Sequence, residues 1–159
     1  MAEFTHMRHL QDFRSPASLE FFNTLIANVR GPYSAIRALR PLPRASGDAV
    51  VVNVSSISGF TASGSNVACC AAKAALDNIS MSLGRALGPE IRVLSVSPGA
   101  VATDFVQGRD RAALGSGAKS TPLKRVVEPG DVAAAVLACV THLTVSTGTT
   151  IVVYGGRHL

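Results

Sequence analysis

A hydroxyl, a thiol and an ammonium group fall within one stretch of this sequence, Asn53 to Lys73, which reads NVSSISGFTASGSNVACCAAK. Ser56 follows the apolar run Ala49-Val50-Val51-Val52, and Cys69 and Lys73 lie in the alanine-rich segment beyond a Ser/Gly-rich turn. A short apolar run, a small polar turn and then a long helical pattern describe a β-strand feeding a helix. A spacing of four puts Cys69 and Lys73 on one face of that helix. Ser56 sits at the carboxyl end of the strand, where open α/β sheets place their ligands. A thiol beside a cation near a helix start can act as a nucleophile. Here, however, no histidine is positioned by sequence as its base. Adjacent cysteines such as Cys69 and Cys70 in an alanine-rich helix also serve as small packing residues.

The elements that must position these groups follow from periodicity. From Leu19, the residues Phe22, Ile26, Val29, Tyr33, Ile36 and Leu39 keep helical spacing as far as Pro41 and Pro43. Pro32 lies inside this helix, removes the hydrogen bond to the Asn28 carbonyl and predicts a kink there. After the turn Ser46-Gly47-Asp48, Ala49–Val54 reads as a strand buried on both faces. Asn66 to Leu87 reads as the central helix, apolar at Ala72, Leu76, Ile79 and Leu83 and stopped by Gly88-Pro89. Ile91–Val96 is the next strand, followed by Ser97-Pro98-Gly99-Ala100-Val101-Ala102-Thr103. Asp104–Arg125 is polar and weakly periodic. A helix starts at Glu128-Pro129-Gly130-Asp131, with Val132, Val136, Leu137 and Val140 as its apolar face, and Thr149–Val153 is the last strand. Strands alternating with helices predict an α/β fold with a parallel sheet. Met1–Pro16 reads as a polar lead-in, and residues 17–159 as one domain.

The totals narrow the function classes. With 159 residues and 47% hydrophobic content, the chain can bury a core of its own. The net charge is +5, but the arginines (among them Arg37, Arg44, Arg85 and Arg109) are scattered without interleaved aromatics, so no nucleic-acid partner is expected. No apolar run approaches a membrane span, and Met1–Arg14 has no signal-peptide core. The expected location is cytoplasmic. Cys69, Cys70 and Cys139 show no CxxC spacing, and no metal site is expected. The four histidines, His6, His9, His142 and His158, read as surface residues.

The combined motifs resemble the short-chain dehydrogenase/reductase family, whose catalytic segment carries a Ser and then Tyr-x-x-x-Lys on the following helix. Ser56 falls at the catalytic serine, Lys73 at the lysine and Cys69 at the tyrosine. The resemblance implies that the Asn28 carbonyl holds a water linked to Lys73. It also implies that Lys73 holds the nicotinamide ribose, and that Pro98, Gly99, Val101 and Thr103 form the loop that meets the carboxamide. NAD or NADP would be the cofactor and a small alcohol or ketone the substrate. The family usually carries Asp where Tyr154 stands.

The resemblance covers Leu19 to Leu159 and implies a partial Rossmann-like sheet of about three strands with flanking helices. The chain has no GxxxGxG turn and no NAG-type strand before Asn28, so the amino-terminal βαβαβ half is read as missing. At Cys69 the reference pKa of a thiol, about 8.5 against about 10 for tyrosine, is no obstacle. Reach is the obstacle, because the sulfur lies one atom beyond Cβ whereas a tyrosine oxygen lies across a ring, and general acid catalysis needs contact. The expectation is an oxidoreductase impaired or inactive as written. The alternatives are a non-catalytic module that self-associates into a homo-oligomer, for instance through an unpaired strand edge, and a residual thiol or redox activity at Cys69.

Overall fold

Apolar runs separated by Gly, Pro and Ser fold into three parallel strands carried between helices. The computed structural model describes residues 18–39, 49–103 and 111–159. The expected lead-in Met1–Pro16, the turn Ser46–Asp48 and the start of the polar segment after Thr103 lie outside the described residues. In chain order the elements are α1 (Ser18–Leu25), a π-helical segment (Ile26–Arg30), α2 (Gly31–Leu39), β1 (Ala49–Val54), α3 (Ser58–Thr61) and α4 (Val67–Leu87). There follow β2 (Ile91–Pro98), α5 (Arg111–Ala118), α6 (Pro129–Thr141) and β3 (Thr150–Val153).

The strand order is β1-β2-β3, with both pairs parallel. Ala49 stands opposite Ile91 and Val54 opposite Val96, while Ser95 stands opposite Thr150 and Pro98 opposite Val153. Side chains alternate between the two faces along each strand, and both faces are covered. On one, Ile91 and Val93 pack with Ile36 of α2 and Leu83 and Leu87 of α4, beside Ala49 and Val51. On the other, Leu94 and Val96 pack with Val132, Ala135, Val136 and Cys139 of α6, beside Val50, Val52, Ile151 and Val153. Val93, Leu94 and Val96 have no exposure at all. Complete burial stabilises by roughly 1.5–3 kcal/mol for each such side chain, so β2 is the axis of the core.

Local chemistry sets the helix ends. Asn66 is the N-cap of α4, its side-chain oxygen accepting the Cys69 N–H at 2.7 Å. At the start of α6 the Asp131 carboxylate accepts the Glu128 N–H at 2.9 Å and pairs with Arg125. Arg92 reaches from β2 to the other end of α6, donating to the carbonyls of Cys139 and Leu143, both at 2.9 Å. A cation there satisfies orphan carbonyls and complements the helix dipole. Gly84 of α4 crosses the loop before β3 so closely that a Cβ would lie 2.6 Å from the Gly148 nitrogen.

Several expectations need correcting. β1 is not buried on both faces: Ala49 to Val52 are half-buried and Val54 is 50% exposed, because β1 has a neighbour on one side only among the described residues. Pro32 produces a π-helical segment rather than a simple kink. The Gly31 N–H reaches back to the Ile26 carbonyl, and the wider turn absorbs the residue that cannot donate. The buried stripe of α4 runs through Ala72, Leu76, Ser80 and Gly84, with Ile79 and Leu83 at its margin. On α6, Leu137 and Val140 point outward, 60% and 43% exposed, and Cys139 fills the core position. Within the segment read as weakly periodic, Arg111–Ala118 is helical and buries Leu114 and Ala118.

Candidate active site

The chain leaves β1 as a tight loop against α4. The Ser55 N–H donates to the Val96 carbonyl at 2.8 Å and the Ile57 N–H to the Pro98 carbonyl at 3.1 Å, which carries the β1–β2 ladder past Val54. Gly59 allows the loop to lie on the helix backbone, since a Cβ there would stand 2.8 Å from the Ala74 nitrogen and 2.9 Å from the Lys73 carbonyl carbon. The loop and the helix are clasped in both directions. The Ser55 hydroxyl donates to the Lys73 carbonyl at 3.2 Å, and Lys73 Nζ donates to the Val54 carbonyl at 3.0 Å.

Ser56 is held from one side. Its Oγ accepts the Ser58 N–H at 3.2 Å and lies 2.9 Å from the Ser58 hydroxyl, which is itself buried. An oxygen whose lone pairs are engaged this way keeps its own O–H to offer elsewhere. Burial lowers the pKa of Lys73, against the fields of Cys69 and Asp77, which favour its charged form. One oxygen of Asp77 is buried without a hydrogen-bond partner, as are the hydroxyls of Ser95 and Ser97 beneath α4. Cys69 stands in the first turn of α4, half-buried, on the same side as Lys73.

Ser56 thus follows the carboxyl end of β1, Lys73 Nζ reaches the last carbonyl of that strand and Pro98 ends β2, while Cys69 lies one turn before Lys73 on α4. Gly99 continues β2 toward β3, its N–H on the Val153 carbonyl at 2.8 Å and its backbone packed against Tyr154. Val101 and Thr103 lie further out, on a strap in which Val101 bridges to Val127 and the Thr103 N–H returns to the Val101 carbonyl. Asn28 stands in the π-helical segment, which packs on α4. Its side-chain amide donates to the Thr24 carbonyl at 3.1 Å, while the lysine bonds to Val54. The sequence reading passed over Ser55 and Ser58. The signal for Ser58 was present in the Ser-x-Ser spacing, which lets one serine bond the backbone two residues on. A ring cluster was also missed: His158 lies 4.6 Å from Tyr154 and 5.1 Å from Phe60, between centroids, beside the ends of β1 and β3.

Residues 7–158 match a family model described as enoyl-(acyl carrier protein) reductase. The chain is 37% identical over 131 residues to the short-chain dehydrogenase/reductase homolog YusR of Bacillus subtilis, covering 82% of this chain and all of that protein. A crystal structure of a 3-oxoacyl-[acyl-carrier protein] reductase from Brucella melitensis superposes with a TM-score of 0.75 at 33% identity, over 83% of this chain and 50% of that one. A second such reductase from the same organism, with bound NAD, gives a TM-score of 0.77 at 31% identity over 88% and 52%. YusR apart, the chain spans about half the length of these relatives.

Proposed function

This chain belongs to the short-chain dehydrogenase/reductase family, and from that premise we propose that it carries the reacting half of an NAD(P)-dependent oxidoreductase for a small alcohol or ketone, with turnover impaired at Cys69. The observation that supports this reading is the reach of Lys73 Nζ to the Val54 carbonyl at the carboxyl end of β1, two residues before Ser56. The residues present fit the nicotinamide end of such a cofactor. Lys73 uses one of its three N–H donors on Val54, and its partly buried ammonium stands ready for ribose hydroxyls. Val101 and Thr103 would meet the carboxamide. For the pyrophosphate the chain offers no GxxxGxG turn. Bound nicotinamide supplies or accepts the hydride.

The chain's own residues do the rest. The Ser56 hydroxyl, fixed through Ser58, donates to the substrate oxygen and orients it. Lys73 holds the cofactor. A thiol at position 69 stops short of the substrate oxygen, and that gap is the source of the impairment. The test is Cys69→Tyr, assayed by NADH and NADPH oxidation with small ketones. A rise from background to measurable turnover supports an otherwise intact site. An inert variant that still binds cofactor, read by nucleotide fluorescence, removes Cys69 as the cause.

A second reading, as an assembly module, draws on the exposed side of α1 and its π-helical extension. Leu19, Phe22 and Ile26 follow helical spacing there and are all exposed. Such a stripe pairs copies of a chain. Sedimentation giving a defined oligomer supports it, and a monomer at working concentration counts against it.

A further inference from the structure

α3 has only four residues, too few to hold a helix by themselves in water. It also ends on Ala62 at φ 54°, a left-handed conformation that disfavours a residue with a Cβ. Its shape is therefore set by what packs on it. On the inner side, Gly59 lies on the backbone of α4 and the Ile57 N–H bonds to the Pro98 carbonyl. On the outer side stands Phe60, half-exposed, whose ring meets that of His158 edge to face at 5.1 Å.

His158 is brought there by the chain after β3. Tyr154 packs on Gly99 at the end of β2, so that a Cβ on Gly99 would stand 2.9 Å from the Tyr154 Cβ. Gly155 and Gly156 then take left-handed φ values of 65° and 81° and turn the chain back. The Leu123 N–H pins that turn by donating to the Gly155 carbonyl at 3.2 Å. The His158 ring lands on that of Tyr154, with 4.6 Å between centroids and a tilt of 36°. Both separations lie in the range where ring pairs attract. A ring rooted at the sheet thus reaches the turn after β1. That turn holds the Ser56 hydroxyl. The Ser58 N–H donates to Ser56 Oγ at 3.2 Å, and the Gly59 N–H donates to the Ser56 carbonyl at 3.1 Å. A tilt of α3 moves Ser58 and loosens its bond to Ser56.

We propose that Tyr154, His158 and Phe60 form a ring clasp that holds α3 against the strand ends, and that His158 is thereby a positioning residue for the Ser56 hydroxyl. The clasp ties together the segments that leave all three strands: residues 57–61 after β1, Gly99 after β2 and residues 154–158 after β3. His158 acts through Phe60 and Ser58. The clasp rests on this geometry alone, and only the use of the positioned hydroxyl on a substrate oxygen rests on the oxidoreductase reading.

The test is amide exchange in the full chain carrying His158→Ala or His158→Phe. His158 is exposed, so both variants should keep the circular dichroism of the parent. In His158→Ala the Ser58, Thr61 and Ala62 amides should exchange about fivefold faster, the size of one lost ring contact, while the Ser95 amide of β2 stays as it was. His158→Phe keeps a ring and should restore the slow rate. Added to Phe60→Ala, His158→Ala should speed α3 no further. Unchanged Ser58 exchange in His158→Ala, no rescue by His158→Phe, or additive effects of the two alanine substitutions overturns the proposal. In Cys69→Tyr, His158→Ala should lower kcat for a small ketone about fivefold and leave KM for NADH or NADPH unchanged, because Lys73 lies on α4. An unchanged kcat overturns the positioning of Ser56. An inert Cys69→Tyr chain with the expected exchange supports the clasp and counts against the oxidoreductase reading.

Discussion

β1 and β2 are built from the same kind of residue and meet different fates. β2 has a strand on each side, helices on both faces and residues with no exposure at its centre. β1, just as apolar, keeps Val54 half in water and turns one row of backbone groups away from any strand among the described residues. The difference teaches that burial belongs to the neighbours of a strand. Composition states only what a strand could tolerate.

The largest effect that could break this comparison is in the core. Leu94→Ala on β2 should cost about 2–5 kcal/mol. Val52→Ala on half-buried β1 should cost about 0.8 kcal/mol. Both are read from urea midpoints at unchanged slope, and equal losses would mean that β1 is as enclosed as β2. Next is the crossing that seats α4 over the sheet. Gly84→Ala should cost about 1–3 kcal/mol, because the neighbouring atoms are Gly148 backbone that cannot step aside. Third is the clasp between the β1 loop and α4. Ser55→Ala should cost about 1 kcal/mol and speed exchange in the loop.

Smaller still are the titrations. Lys73 has a lowered pKa in the folded chain, so in the window between that value and the ordinary 10.5 the unfolded chain holds more protons. Stability should therefore rise with pH across that window, and the slope should vanish in Lys73→Met. At the start of α6 the sign is reversed. The Glu128 N–H, and then Arg125, hold the Asp131 carboxyl below its usual value. Its contribution is present above the ordinary 3.8 and is lost as pH falls through the folded value. Asp131→Asn should flatten that acid limb, which amide exchange at the α6 start would report.

How much of this was legible in the sequence differs by region for a physical reason. The order of strands and helices, the cap at Asn66 and the start at Pro129 are local facts, set by hydrogen-bond geometry within a few residues. The positions of Ser56 just past the end of β1 and of Lys73 on the helix that follows were legible too, through a strand end and a helical spacing. What could not be read depends on partners far along the chain. Leu137 and Cys139 fit helical patterns equally well, and only the position of the sheet decides that Cys139 faces it. The π-helical segment needed more than a proline, because the alternative kink has the same sequence signature. The lysine's bond to Val54 joins groups 19 residues apart, and no residue in β1 announces it.

The core position of Cys139 has a practical consequence. Burial pushes its thiol pKa up, against the opposing field of Arg92, and leaves it no exposure, whereas Cys69 and Cys70 are half-exposed on α4. A thiol-reactive dye should label two sites in the native chain and a third only when α6 lifts from the sheet. The slow third label then becomes an intrinsic clock for opening of the hydrophobic centre, needing no engineered reporter.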